Sequence, residues 1–162
     1  MESKDKKDKI VLIVAILAAF AIGLIIGNMV WSGGFNQRLG YAPQPAQYGS
    51  NGEMIFMTGV NEKGERIPFI GGPQWLYMHG GGCASCHGTD GKGGIYPMMC
   101  GVKTPDIRYS TLSQKHGMSD EDIMKAITQG VGDEGEELDY CMPRWQMTEK
   151  DLNDVVEFLK EL

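Results

Sequence analysis

The stretch Ile10–Trp31, IVLIVAILAAFAIGLIIGNMVW, carries no charged residue and matches the roughly 20 apolar residues that a helix needs to cross a bilayer. It reads as a membrane span. A cleaved export signal has a shorter apolar core, about 7 to 15 residues, and ends in an A-x-A-like site; the sequence that follows here, G-N-M-V-W-S-G-G, offers none. Residues 1–9 hold four lysines (Lys4, Lys6, Lys7, Lys9), and the first base after the span is Arg38. Cytoplasmic flanks carry the excess of Lys and Arg, so the expected topology is a single pass in the cytoplasmic membrane. Residues 1–9 would be cytoplasmic, 10–31 would sit in the lipid bilayer, and everything from Ser32 onward would be periplasmic or extracellular.

What is left for folding is poor in regular structure. Residues 32–53, SGGFNQRLGYAPQPAQYGSNGE, are rich in Gly, Pro, Gln and Asn with no apolar period, the composition of a flexible tether. Within 54–72, Met54–Thr58 and Arg66–Ile70 are short apolar runs flanking V-N-E-K-G-E, in which Asn61 and Gly64 form turns; a small β-hairpin is expected. Gly71, Gly72 and Pro73 break the chain, and Pro73 suits the start of a short helix carrying Trp75, Leu76 and Met78. Two better-marked helices follow. Ser119-Asp-Glu-Asp122 is a capping box ahead of Ile123, Ala126 and Ile127, with Gly130 as a stop. Thr148-Glu-Lys-Asp151 opens a last helix with Leu152, Val155, Val156, Leu159 and Leu162 at helical spacing. No internal repeat is evident.

The 162 residues suffice for one domain with an appendage. There are 23 glycines, concentrated in the middle third, so the globular part needs cohesion from more than helix and sheet. A buried prosthetic group would provide it. The net charge is -6, and after residue 9 the acids number 18 and the bases 11. No basic face for nucleic acid is implied. An acidic domain suits a basic protein partner.

Cys83-Ala84-Ser85-Cys86-His87 is the one motif with chemistry in it. Two cysteines three positions apart lie about one helical turn from each other, so both sulfurs can form thioethers along one edge of a haem while the adjacent imidazole reaches the iron. A redox C-x-x-C would want a preceding strand in a βαβ unit, whereas Gly80-Gly81-Gly82 stands there. A structural zinc needs four ligands, and Cys100, Cys141, His79 and His116 lack paired spacing. A plain Cys83–Cys86 disulfide would leave His87 unexplained.

With these residues in place, the chain from Pro73 onward resembles class I c-type cytochromes: a helix before C-A-S-C-H, then G-T-D-G-K-G-G, a capped middle helix, Met142-Pro143-Arg144-Trp145, and an amphipathic last helix. The resemblance implies an all-α domain over 73–162 around one covalent haem c, with Trp75 and Phe158 at the crossing of its first and last helices. It makes His87 the proximal iron ligand and Met142, in its M-P-x-aromatic segment with Trp145, the distal one. Met147, then Met98, Met99 and Met118, are weaker competitors among eleven methionines, and His79 or His116 would give a second imidazole. It further implies that the carbonyl of Pro97 holds the other nitrogen of His87. Arg108 could pair with a haem propionate. Cys100 and Cys141 depart from the family's usual pattern; in an oxidising compartment they are expected to pair and to fasten the methionine loop.

A six-coordinate iron has no open position, so the expected activity is one-electron transfer and not catalysis. The expected donors and acceptors are membrane respiratory complexes or other redox proteins. The alternatives are a fixed cytochrome subunit of a larger oxidoreductase and a haem-based sensor or gas-binding protein.

Overall fold

The side chain of Ser50 accepts a hydrogen bond from the backbone N–H of Glu53 at 3.1 Å, which satisfies one of the free donors at a helix start. Helix α1 (Asn51–Thr58) begins there and stops at Gly59, φ 70°, in the left-handed region that favours glycine. A computed structural model describes residues 45–162 together with Leu17. The expected membrane span at 10–31 and the first part of the tether lie outside the described residues, among which no helix is long and apolar enough to cross a membrane.

Helix α1 corrects two expectations at once. The segment 54–58 is helical and not one arm of a hairpin, and residues 45–53 of the expected tether carry a 3-10 turn at Pro45–Gln47, the cap at Ser50 and the first turn of α1. Met54, Ile55 and Phe56 are fully buried, because the helix lies against the last one, α5 (Glu149–Glu161). Gly52 sits at the closest approach: a Cβ there would fall 1.9 Å from the Asp154 carbonyl oxygen. Phe56 meets Phe158 with ring centroids 5.2 Å apart, so Phe56 takes the place expected of Trp75. Asn51 closes the contact by donating to Asp151 at 3.0 Å and Asp154 at 2.6 Å.

Between α1 and α5 come β1 (Phe69–Ile70), α2 (Gln74–His79), a single turn α3 (Ala84–His87), a π-helical segment at Ser110–Lys115, α4 (Asp120–Gln129) and β2 (Arg144–Trp145). Helix α4 has the full capping box, Ser119 with Asp122, and ends at Gly130 in the left-handed region. The two strands pair antiparallel, Phe69 opposite Trp145 and Ile70 opposite Arg144. The fold is therefore largely helical with one two-stranded sheet, and β1 pairs with a strand 75 positions along the chain rather than with its neighbour.

A repeated loop also emerges. G-V-N-E-K-G-E-R-I at 59–67 and G-V-G-D-E-G-E-E-L at 130–138 each follow a helix. In both, the ninth residue's N–H bonds to the first residue's carbonyl at 2.8 Å, and a β-bridge joins the second to the eighth. The apolar residues of α1, α4 and α5 gather with Ile67, Leu76, Met118 and Trp145 into one core.

Candidate functional site

Glycines bound the turn that carries the two cysteines. Gly82 presses against α1, where a Cβ would come within 2.3 Å of the Phe56 carbonyl oxygen, and Gly88, φ 80°, ends the turn. Between them the His87 N–H donates to the Cys83 carbonyl at 2.9 Å. Cys83, Cys86 and His87 thereby face a single cavity of about 370 Å³. Its other walls come from α4 (Ile123, Ile127), α5 (Val155, Leu159) and the segment Leu138–Trp145.

His87 is buried, and its Nδ1 lies 3.1 Å from the carbonyl oxygen of Pro105. A carbonyl only accepts, so Nδ1 carries the proton and Nε2 keeps its lone pair for a metal. Burial also lowers the imidazole's proton affinity, against the weaker opposing pull of that hydrogen bond, so the ring is neutral and able to ligate. The expected partner Pro97 is a correction. Its carbonyl accepts from Cys100 N–H at 3.0 Å, and the chain must run eight residues further before it can turn back under the imidazole. The run Gly91-Lys92-Gly93-Gly94 leaves room for that return: Gly93 donates to the His87 carbonyl at 2.8 Å, and a Cβ at Gly93 would sit 2.1 Å from the Pro105 oxygen. That glycine run was the sequence signal for Pro105.

Burial pushes the Cys83 thiol up to about 12, and raises Cys86 as well. A disulfide oxidoreductase depends on a lowered thiol, so the raised values argue against a redox C-x-x-C. No three His, Cys, Asp or Glu side chains gather to hold a metal ion among the described residues, which leaves the zinc reading without its ligand set. An apolar cavity with two neutral thiols, one neutral imidazole and a thioether on its walls does fit a haem.

Met142 lines the cavity, half-buried, as does the buried Trp145. Of the described methionines only Met118 shares that position with Met142; Met98 and Met99 are exposed, and neither they nor Met147 line the cavity. His79 is exposed and off the cavity, while His116 stands at its edge with Nδ1 2.6 Å from Asp133. Arg108 is not brought to the wall. It pairs with Asp106 at 2.6 Å, holding that carboxyl well below the usual carboxylate range, so the propionate role expected of it is not supported; Lys103 is the cation that lines the cavity. Cys100 and Cys141 are joined as a disulfide, with their Cα atoms 6.0 Å apart.

The family model for cytochrome c matches residues 74–162. The chain belongs to the cytochrome c family. Covalently bound haem c and haem-based electron transfer follow from that membership, and the protein is an electron carrier rather than a catalytic enzyme. No curated protein and no solved structure matches the chain. In this cytochrome, Cys83 and Cys86 are the residues that would hold the haem covalently, and His87 and Met142, which line the same cavity, are the residues whose chemistry fits iron ligation. Bound there, the haem supplies a reversible one-electron couple. The protein's part would be to orient the imidazole through Pro105, offer the thioether of Met142, and keep water out with Ile123 and Ile127 of α4 and Val155 and Leu159 of α5. α1, which the matched region does not include, completes the core.

Proposed function

We propose that this protein is a membrane-anchored, monohaem class I cytochrome c that passes single electrons between respiratory partners on the extracytoplasmic side. Cys83 and Cys86 form the thioethers, His87 is the proximal ligand and Met142 the distal one. The observation that carries this reading is the convergence of these four side chains on one apolar cavity, with the far nitrogen of His87 already engaged by a backbone carbonyl. A thioether ligand raises the reduction potential relative to two imidazoles and closes the iron to exogenous gas. The apolar run at 10–31 supports the anchor, which keeps the carrier at a high effective concentration near membrane partners.

The test is spectroscopic. The ferric protein is expected to show the near-infrared sulfur-to-iron band and the ferrous protein to leave carbon monoxide unbound; Met142→Ala is expected to lose the band and to bind the gas. A band that survives Met142→Ala would sink the ligand assignment. For the anchor, deletion of residues 1–31 should move the protein from the membrane to the soluble fraction.

A second reading, a fixed subunit of a larger oxidoreductase, is favoured by one feature. Met98, Met99, Tyr140 and Ile70 are 65–73% exposed, a large apolar group for a free carrier. Co-migration with other polypeptides after mild solubilisation would support the subunit; migration alone would support the shuttle.

A further inference from the structure

The chain makes a closed excursion just before the haem motif. It leaves at Gly59 and returns at Gly81, where a Cβ on Gly59 would fall 2.3 Å from the Gly81 oxygen. The residues between could have formed a simple surface loop. Instead, 68–72 run alongside 140–146. Gly72 N–H donates to the Tyr140 carbonyl at 2.9 Å, Gln146 N–H donates to the Pro68 carbonyl at 2.8 Å, and Phe69 and Ile70 pair with Trp145 and Arg144. Phe69 also packs on Trp145 at 5.0 Å, and a Cβ on Gly72 would lie 3.3 Å from Pro143. α2 braces this strip from behind. Tyr77 packs on Phe69 at 4.4 Å and donates its hydroxyl to the Gly71 carbonyl at 2.8 Å. Trp75 Nε1 donates to the Met98 carbonyl at 3.0 Å, two residues from the disulfide at Cys100.

We propose that the strip Pro68–Gly72 is a positioning clamp for Met142, gripping the chain on both sides of it and so setting how readily its sulfur gives way to an outside ligand. The proposal rests on Met142 being the distal ligand. Met142 lies in no helix or strand, so its place is fixed by what its neighbours bond to. Tyr140 before it and Arg144–Gln146 after it are all bonded to the strip. All of the strip lies before residue 74, outside the region that matches the family. Phe69 and Gly72 do not line the cavity, so any effect of theirs on the iron passes through the 140–146 segment.

The experiment titrates imidazole, as a competing ligand, into the ferric full-length protein and follows loss of the near-infrared band. Phe69→Ala removes the packing on Trp145, and Gly72→Ala presses a methyl on Pro143 at a backbone angle (φ 85°) that side chains avoid. Each is expected to tighten imidazole binding on the order of tenfold, the effect of losing one to two hydrogen bonds' worth of positioning, and to lower the reduction potential. Tyr77→Phe deletes only the hydroxyl on Gly71 and should tighten it about twofold, keeping the test alive if either larger change prevents folding. Val156→Ala, buried on α5 and off the cavity, is the control for general loss of stability and should leave imidazole affinity unchanged. Wild-type affinity in Phe69→Ala, Gly72→Ala and Tyr77→Phe, with Met142→Ala still abolishing the band, overturns the clamp alone. An equal shift in Val156→Ala overturns it too. A band retained in Met142→Ala overturns the ligand reading beneath it.

Discussion

The cavity's His87 wall and its Met142 wall are built in opposite ways. His87 sits in a turn of helix closed by its own backbone, from Cys83 to His87, and the loop that steadies its imidazole follows within eighteen residues. Met142 lies in no element of its own. It is held from afar by the disulfide from Cys141 to Cys100, 41 positions away, and by strand pairing with Phe69–Ile70, and close by through the guanidinium of Arg144, which donates to the carbonyls of Leu138, Asp139 and Met142. His87 is placed by local sequence and Met142 chiefly by tertiary structure. Damage to the first wall should therefore abolish cofactor attachment, while damage to the second should leave attachment intact and loosen the sixth ligand.

The sharpest way to break that contrast is Cys83→Ser with Cys86→Ser. No haem should remain on the polypeptide in a haem-stained denaturing gel, and any Met-wall variant that did the same would erase the difference between the walls. Next in size is Cys100→Ser. Opening a loop of this length should cost about 4 kcal/mol in denaturant unfolding, with haem attachment unchanged. Thiol alkylation of the denatured holoprotein should label no cysteine before reduction and two after it; labelling before reduction would remove the staple from the Met142 wall. Arg144→Met leaves three backbone carbonyls short of a donor and should cost about 2 kcal/mol, read as a lower unfolding midpoint together with easier loss of the near-infrared band.

The smallest effect belongs to the His87 wall and concerns pH. Asp106, next to the Pro105 carbonyl that steadies His87, has its proton affinity lowered chiefly by hydrogen bonding to Arg108. A depressed carboxyl contributes stability that is present above its unfolded value, near 4, and is lost as pH falls toward the folded one. Acidification below pH 4 should therefore weaken the wild type slightly more than Asp106→Asn, while the disulfide and backbone pairs of the Met142 wall contribute no such dependence.

The same division explains what could be read from the sequence. α4 and α5 announce themselves through Ser119–Asp122, Thr148–Asp151 and their apolar spacing, all local signals. α1 does not, because Met54–Thr58 is a run of apolar residues with no period, buried on nearly every side, and such a run fits a strand or a helix equally. What lets it pack as a helix on α5 is Gly52 against the Asp154 carbonyl, a contact about a hundred positions away. One local clue was present, Ser50-x-x-Glu53: the Ser50 side chain accepts from the Glu53 N–H, while the Glu53 carboxylate accepts from the Gly49 N–H in place of the Ser50 one. For the site, the C-A-S-C-H motif was fully legible as a position, and Met142 by its segment. Pro105 was missed because spacing pointed to Pro97, whereas the glycines from 91 to 94 decide where the chain folds back. The strand within 68–72 was legible in the run Arg66–Ile70, but its pairing was not, since its partner, Arg144–Trp145, is distant in sequence.

The central claim is that one haem is bonded to the turn at Cys83–His87. Peptide mass spectrometry of the purified holoprotein is the test. The expected result is a single haem on the peptide containing Cys83 and Cys86, retained after acidic organic extraction. A haem that extracts freely, or that peptide recovered with two unmodified thiols, would contradict it.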